Sequence, residues 1–390
     1  MLEQYFLKPT TIDRIRASWL GEPIEQYVTW LAERGYTARS VGRRVPMLMH
    51  FADHAATHGA KTWEELPGHV DSFVDTWVRQ HGRRCKDKEA RRQVASAARN
   101  PVEQMLCLIL PGYRGHQRPQ PPQPFAASAP GFFSYLQQER GLRPASIALY
   151  TINLRRLEQY LQRIQLVDLR ELSVPVLSGF LSDTSQALGK HALNGLCGQL
   201  RIFLRYLYLE GQVPNDFSRG IDCPRIYRLS DIPRAISWEE VQRLLVAIDR
   251  RSRVGKRDYA ILLLLVTYGL RAREIAALTL DAIDWQRERL AVPERKAGHS
   301  MAYPLSPIVG EAIVDYLQHG RPQSAERLLF LRACAPHTPL GWPAVSQCVA
   351  SRLRHAGIVV ARPGSHTLRH TCVQHLVEAQ FSLKARSRMR

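Results

Sequence analysis

Glu33-Arg34-Gly35 recurs as Glu139-Arg140-Gly141, an offset of 106 residues, and each copy runs into a long stretch of helical periodicity. Without gaps, Ser40-Val41 then matches Ser146-Ile147, Leu48 matches Leu154, and Glu65-Leu66 matches Glu171-Leu172. Two readings fit: one helical module used twice, or two unrelated bundles that agree by chance. Both confine the first half of the chain to helices joined by short turns. The spacing of apolar residues predicts helices over 23–31, 38–57 and 68–80 in the first copy. In the second it predicts 132–138, 144–164, 174–181 and 187–209, the last with Leu193, Leu196, Leu200, Phe203, Leu204 and Leu207 inside. Residues 111–130, rich in Gln and carrying Pro119, Pro121, Pro122 and Pro124, read as an extended, semi-rigid linker.

The last third changes character. An apolar run from Ala260 to Val266 leads into Tyr268-Gly269-Leu270-Arg271-Ala272-Arg273-Glu274. A helix is expected to end near Gly269, which suits the left-handed residue of a helix C-terminus. A second helix is expected from about Arg271, with Ile275, Leu278 and Leu280 facing inward. Arg271 then sits at a rigid corner, from which a planar guanidinium can bind a phosphate through two N–H groups; the alternative is a surface pair with Glu274. Leu290 and Val292, then Met301, Tyr303 and Leu305, alternate about Ala297-Gly298-His299 and predict a β-hairpin with Lys296 at its tip. Gly364-Ser365 opens a further helix, with Leu368, Cys372 and Leu376 as its buried stripe. His366 and Arg369 share one face of it. They stand near its N-terminus, where backbone N–H groups and the helix dipole favour an anion.

Taken in order, these segments resemble the tyrosine recombinase (phage integrase) family. Gly269-Leu270-Arg271-x-x-Glu274 resembles the first arginine box. Lys296, with Pro304-Leu305 after it, resembles the hairpin lysine and closing strand, and His366-x-x-Arg369-His370 the second box. Leu328-Leu329-Phe330-Leu331 and a helix over 346–356 ending at Gly357 fit the intervening segments, so the resemblance covers about residues 235–385. It implies a mainly α fold with a small β-sheet (α+β). A helical core-binding-like or arm domain would span 1–110, the linker 111–130, a helical core-binding (SAM-like) domain 131–215, and the catalytic domain 234–390.

The resemblance also implies a chemistry. A tyrosine oxygen attacks a DNA phosphate and leaves a 3′-phosphotyrosine and a free 5′-hydroxyl, with no metal and no cofactor. Arg271 and Arg369 would stabilise the pentacoordinate phosphorane. Lys296 would protonate the leaving 5′-oxygen, His366 would handle the nucleophile's proton or hydrogen-bond the phosphate, and Glu274 and His370 would support them. Family spacing puts the nucleophile beyond residue 390, so the chain as written is expected to bind double-stranded DNA and not to cut it. Intact, it would act as a homo-tetramer on DNA.

Composition bears on the partner. Lys and Arg number 54 against 35 Asp and Glu, a formal net charge of +19, which favours a polyanion. Arg79, Arg83, Arg84, Lys86, Lys88, Arg91, Arg92 and Arg99 crowd into one segment, read either as a phosphate-tracking helix or as a solvated face. Seven cysteines with no CxxC pair support neither a disulfide framework nor a zinc site. No apolar run is long enough to span a bilayer and no signal peptide is visible, so a cytoplasmic protein is expected. Three functions remain in play: a recombinase or integrase of a mobile element, a non-catalytic DNA-binding remnant or regulator at recombination sites, and a helical RNA-binding protein.

Overall fold

The structure is a computed structural model and describes residues 1–82, 85, 87–115, 121–225, 235–292 and 301–379. By contacts the chain divides into two units: Met1–His116 together with Pro233–Arg390, and Gln117–Ile232.

The repeat in the sequence is a repeat in structure. Helices α1 (Pro9–Ala17), α2 (Gly21–Glu33), α3 (Ala38–Thr57), α4 (Leu66–His81) and α5 (Lys88–Ile109) enclose a core that includes Ile24, Tyr27, Leu31, Leu48, Phe51 and Leu106. Helices α6 (Phe132–Gln138), α7 (Pro144–Arg163), α8 (Val174–Ser185) and α9 (Lys190–Leu209) enclose another, around Phe132, Leu154, Phe180, Leu200 and Phe203. Positions 38 and 57, which bound α3, recur at 144 and 163, which bound α7. The single 3-10 turn Trp63–Glu65 recurs as Leu169–Glu171 at the same offset of 106. Gly35 (φ 72°) and Gly141 (φ 58°) both turn the chain in the left-handed region that a Cβ disfavours. Shared boundaries, turns and left-handed glycines favour one module used twice over chance agreement.

In these two bundles several local readings change. Helix α1 carried no recognised signal. Residues 79–99 are not one helix: α4 stops at His81, and a fresh N-cap, Asp87 accepting the Ala90 N–H at 2.6 Å, starts α5. In the expected linker, Phe125 and Ala129 are buried in the second core, and the Phe125 N–H donates to Glu158 at 2.7 Å. Burying an aromatic ring outweighs the extended preference of the prolines around it. Helix α9 opens at Lys190, after Gly189, and its Leu193 is only half-buried.

The third core belongs to α10 (Trp238–Val246), α11 (Arg253–Tyr268), α12 (Ala272–Ala276), α13 (Pro307–His319), α14 (Trp342–His355) and α15 (Ser365–Glu378). They pack with an antiparallel sheet of β1 (Ile283–Asp284), β2 (Arg289–Val292) and β3 (Met301–Pro304), in that order. Every residue from Ala260 to Val266 is buried, because α11 is central and α13, α14 and α15 all pack on it. A helix covered on all sides is apolar all round, which is why this run lacks amphipathic spacing. Ser237 and Glu240 form a capping box at the start of α10, as the sequence indicates. Helix α14 opens at Trp342, earlier than the expected 346, since Pro343 suits a first turn. Helix α15 buries Thr367, Leu368, Thr371 and Cys372, while Leu376 is only half-buried.

One ion cluster stands inside this core. Asp258 of α11 is 3% exposed. Its Oδ1 accepts from Nε and Nη2 of Arg257, and its Oδ2 from Nε (2.8 Å) and Nη2 (2.6 Å) of Arg352 on α14.

Candidate active site

Gly269 ends α11 with φ 58° and ψ 35°, the left-handed conformation read from its position. A Cβ there would stand 3.2 Å from Cys372 Sγ on α15. Gly269→Ala is therefore expected to destabilise the protein by about 1–2 kcal/mol from the backbone conformation, with the contact adding to it. A urea titration measures this, and an unmoved midpoint would show that the corner relaxes freely.

Two residues later Arg271 takes the N-cap of the short helix α12. Glu274 accepts the Arg271 backbone N–H at 2.8 Å and its Nη1 at 2.8 Å. The pair exists but is no surface pair: the Glu274 side chain is 4% exposed and that of Arg271 42%. A buried carboxylate fixes one edge of the guanidinium and leaves the rest of it towards solvent.

Arg369 reaches the same corner from α15. Its Nη1 donates to the carbonyl oxygen of Gly269, 100 residues away in sequence. One turn on, Cys372 donates to the Thr267 carbonyl at 3.7 Å. The two arginine boxes are thus joined at the end of α11. His366, exposed, lies one turn before Arg369, and its ring is 6.4 Å from that of the exposed His370. The start of α15 is held by Ser346 of α14, whose Oγ accepts the Ser365 N–H at 3.3 Å. A Cβ at Gly364 would stand 2.8 Å from Ser346 Oγ, so a side chain there would push aside the hydroxyl that holds the helix start.

The hairpin is tied to this corner by Tyr268. Its hydroxyl donates to the Pro304 carbonyl at 3.0 Å and accepts the Ser306 N–H at 2.8 Å. Burial pushes this hydroxyl above its ordinary pKa. Lys296 and the turn Ala297-Gly298-His299 lie outside the described residues. Tyr316 is 1% exposed and its hydroxyl accepts the Leu331 N–H at 3.1 Å. Both hydroxyls are held in structural hydrogen bonds.

Of the basic segment, Lys88, Arg91 and Arg92 are exposed on the first turns of α5, with Arg92 3.4 Å from Glu89. They belong to the first bundle and not to this corner. Arg83, Arg84 and Lys86 lie outside the described residues, as does the segment from 380 onwards.

Sequence reasoning missed the residues that hold α15 from its other side. The Ile236 N–H donates to Thr371 Oγ1 at 3.0 Å, and Trp238 stacks on His375 with ring centroids 4.1 Å apart and planes 7° apart. A contact between positions 135 apart leaves no local pattern to find. Arg273 similarly lies over the Trp342 ring, 5.0 Å from its centroid. Among the described residues, no group of three or more His, Cys, Asp or Glu side chains could hold a metal ion, and no helix is long and apolar enough to cross a membrane.

The chain is similar to known proteins in sequence and in fold. The phage integrase family profile matches residues 234–389, and the profile of the phage integrase N-terminal SAM-like domain matches 130–211. The chain belongs to the phage integrase family, the tyrosine recombinases. Three proteins of Sinorhizobium fredii, each named as a candidate integrase/recombinase, align with it. With y4gC it shares 37% identity, over 39% of this chain and 80% of that protein. With y4rF it shares 29%, over 97% and 87%. With y4rA it shares 34% over 56% of this chain, which spans only 53% of that protein's length. In fold it resembles the crystal structure of a lambda integrase dimer bound to a core site, with a TM-score of 0.55 at 15% identity, over 67% of this chain and 92% of that one.

Proposed function

We propose that this chain acts on duplex DNA as a site-specific recombinase of a mobile element, with the corner at Gly269 gripping the reacting phosphate. The observation that carries the reading is the Arg369 hydrogen bond to Gly269 O, which brings the second arginine to the helix end that presents the first. Two guanidiniums on rigid elements can neutralise a phosphorane's charge in place of metal ions. Arg271 and Arg369 hold the phosphoryl oxygens, and His366 hydrogen-bonds the phosphate or takes the nucleophile's proton. Lys296, which follows β2 in sequence and precedes β3, the strand that Tyr268 anchors, protonates the leaving 5′-oxygen. Glu274 fixes Arg271, and His370 stands one turn beyond His366.

The hydroxyls of Tyr268 and Tyr316 are committed elsewhere, so we assign neither of them as the attacking tyrosine. The same observation favours a second reading, a DNA-binding protein at recombination sites that does not cleave. In the first reading the helical module over 131–215, joined to the catalytic domain over 234–390, closes on DNA and four copies assemble. Lys88, Arg91 and Arg92, with Arg83, Arg84 and Lys86, add sequence-independent phosphate contacts.

A duplex nicked beside the target phosphate tests the proposal. A covalent adduct that survives denaturing electrophoresis is expected of the recombinase. Binding without an adduct selects the second reading. In either case affinity falls steeply with salt, because neutralising phosphates releases counterions. An affinity that is flat in salt would sink both, and a preference for structured RNA would favour an RNA-binding role instead.

A further inference from the structure

The two bundles agree inside and differ outside. Val41, Leu48, Phe51 and Ala55 of α3 correspond at offset 106 to Ile147, Leu154, Leu157 and Leu161 of α7, apolar in both copies. Exposed positions 39, 42, 43, 46 and 50 correspond to 145, 148, 149, 152 and 156, which are exposed as well. In α7 that face reads Ala145, Ala148, Leu149, Ile152, Arg156, and in α3 it reads Arg39, Gly42, Arg43, Pro46, His50.

Arg39 and Arg43 stand one turn apart, on the same side of α3. Neither pairs with a described carboxylate, and the exposed face of α3 carries none before Asp53. Arg44 beside them is spent internally, donating to Tyr27 Oη at 2.8 Å and to Gln104 at 2.6 Å. Gly42 between them would meet nothing if it bore a Cβ, so the face is low and open. Because Arg44 reaches Gln104, this face lies beside the last third of α5. Lys88 is about 24 Å away along that helix at 1.5 Å per residue, so the α5 start is a separate patch.

We propose that the N-terminal bundle is a second duplex-binding module, a duplicate of the SAM-like module, which grips DNA phosphates through Arg39 and Arg43 on the exposed face of α3. The family profiles match only from residue 130 onwards, so this site lies outside them. The proposal rests on the reading of the chain as a DNA-acting recombinase. Two unpaired guanidiniums on an open face suit the phosphate backbone, whereas the equivalent face of α7 is apolar except for Arg156.

The test measures affinity of the full chain for a labelled linear duplex across a salt series. Arg39→Gln/Arg43→Gln is expected to weaken binding at every salt concentration and to flatten the slope of log K against log salt by about 2. Arg39→Glu/Arg43→Glu should weaken it further. Both residues are exposed and unpaired, so circular dichroism should be unchanged. The same loss should appear in an Arg271→Ala/Arg369→Ala background, which separates this site from the corner. Parent-like affinity and slope in the Gln variant would overturn the proposal while leaving the reading of the corner standing. So would an unchanged slope with an altered sedimentation coefficient, which would make the face a protein contact. A parent that binds no duplex would remove both.

Discussion

Asp258→Ala is expected to destabilise the protein by about 3–5 kcal/mol, the range for breaking a buried ion pair from one side. The carboxylate is 3% exposed, and each oxygen takes two N–H groups from a different arginine. Removing it leaves the Arg257 and Arg352 side chains, 12% and 22% exposed, facing each other with no counter-charge. It also unties α11 from α14. Asp258→Asn keeps the shape but not the charge, and should fall between parent and Ala. Arg352→Ala should cost less than Asp258→Ala, since Asp258 keeps Arg257. Urea unfolding of the full chain measures all three. A loss below about 1 kcal/mol for Asp258→Ala, the range of an exposed pair, would show that water already reaches the cluster.

Arg369→Ala is expected to lower the rate of adduct formation on the nicked duplex by about 10²–10³-fold, the usual effect of removing one donor from a preorganised oxyanion site. The fold should survive, because the bond to Gly269 O contributes only about 1 kcal/mol and the core around α11 does not depend on it. Arg369→Lys should recover little, since an ammonium cannot hold the carbonyl and a phosphate oxygen in one planar fork. Where the chain binds without cleaving, the same variant should weaken binding to the target duplex and leave random duplex almost unaffected. An Arg369→Ala protein that melts far below the parent would make this arginine structural.

The sequence carried the corner unusually well, and the reason is local. Gly269, Arg271 and Glu274 fall within six residues, and a left-handed glycine and a capping box are both short-range devices. The ends of α3 and α6 were likewise legible, since Thr37 caps α3 and its apolar stripe runs unbroken. What was not legible depended on distant partners. Nothing near Arg369 says that it will meet Gly269 O, nothing near Tyr268 names Pro304, and Thr371 reads as an ordinary helix residue until Ile236 is found against it. For Glu274 the sequence leaves a supporting role and a surface pair both open, because its burial is decided by the packing around α12 and not by its neighbours in sequence. Phe125 misled in the same way: its prolines are local, and its place in a core is not.

Gly269 has two uses at once: its left-handed backbone ends the helix that builds the core, and its carbonyl holds Arg369, the arginine we propose meets the phosphate. Such a joint has no spare part. With the proposed grip on phosphate built on this joint, a change that loosens the end of α11 should detune both, so substitutions here should move stability and turnover together. Variation selected for one will be filtered by the other, and the corner should drift more slowly than the core that surrounds it.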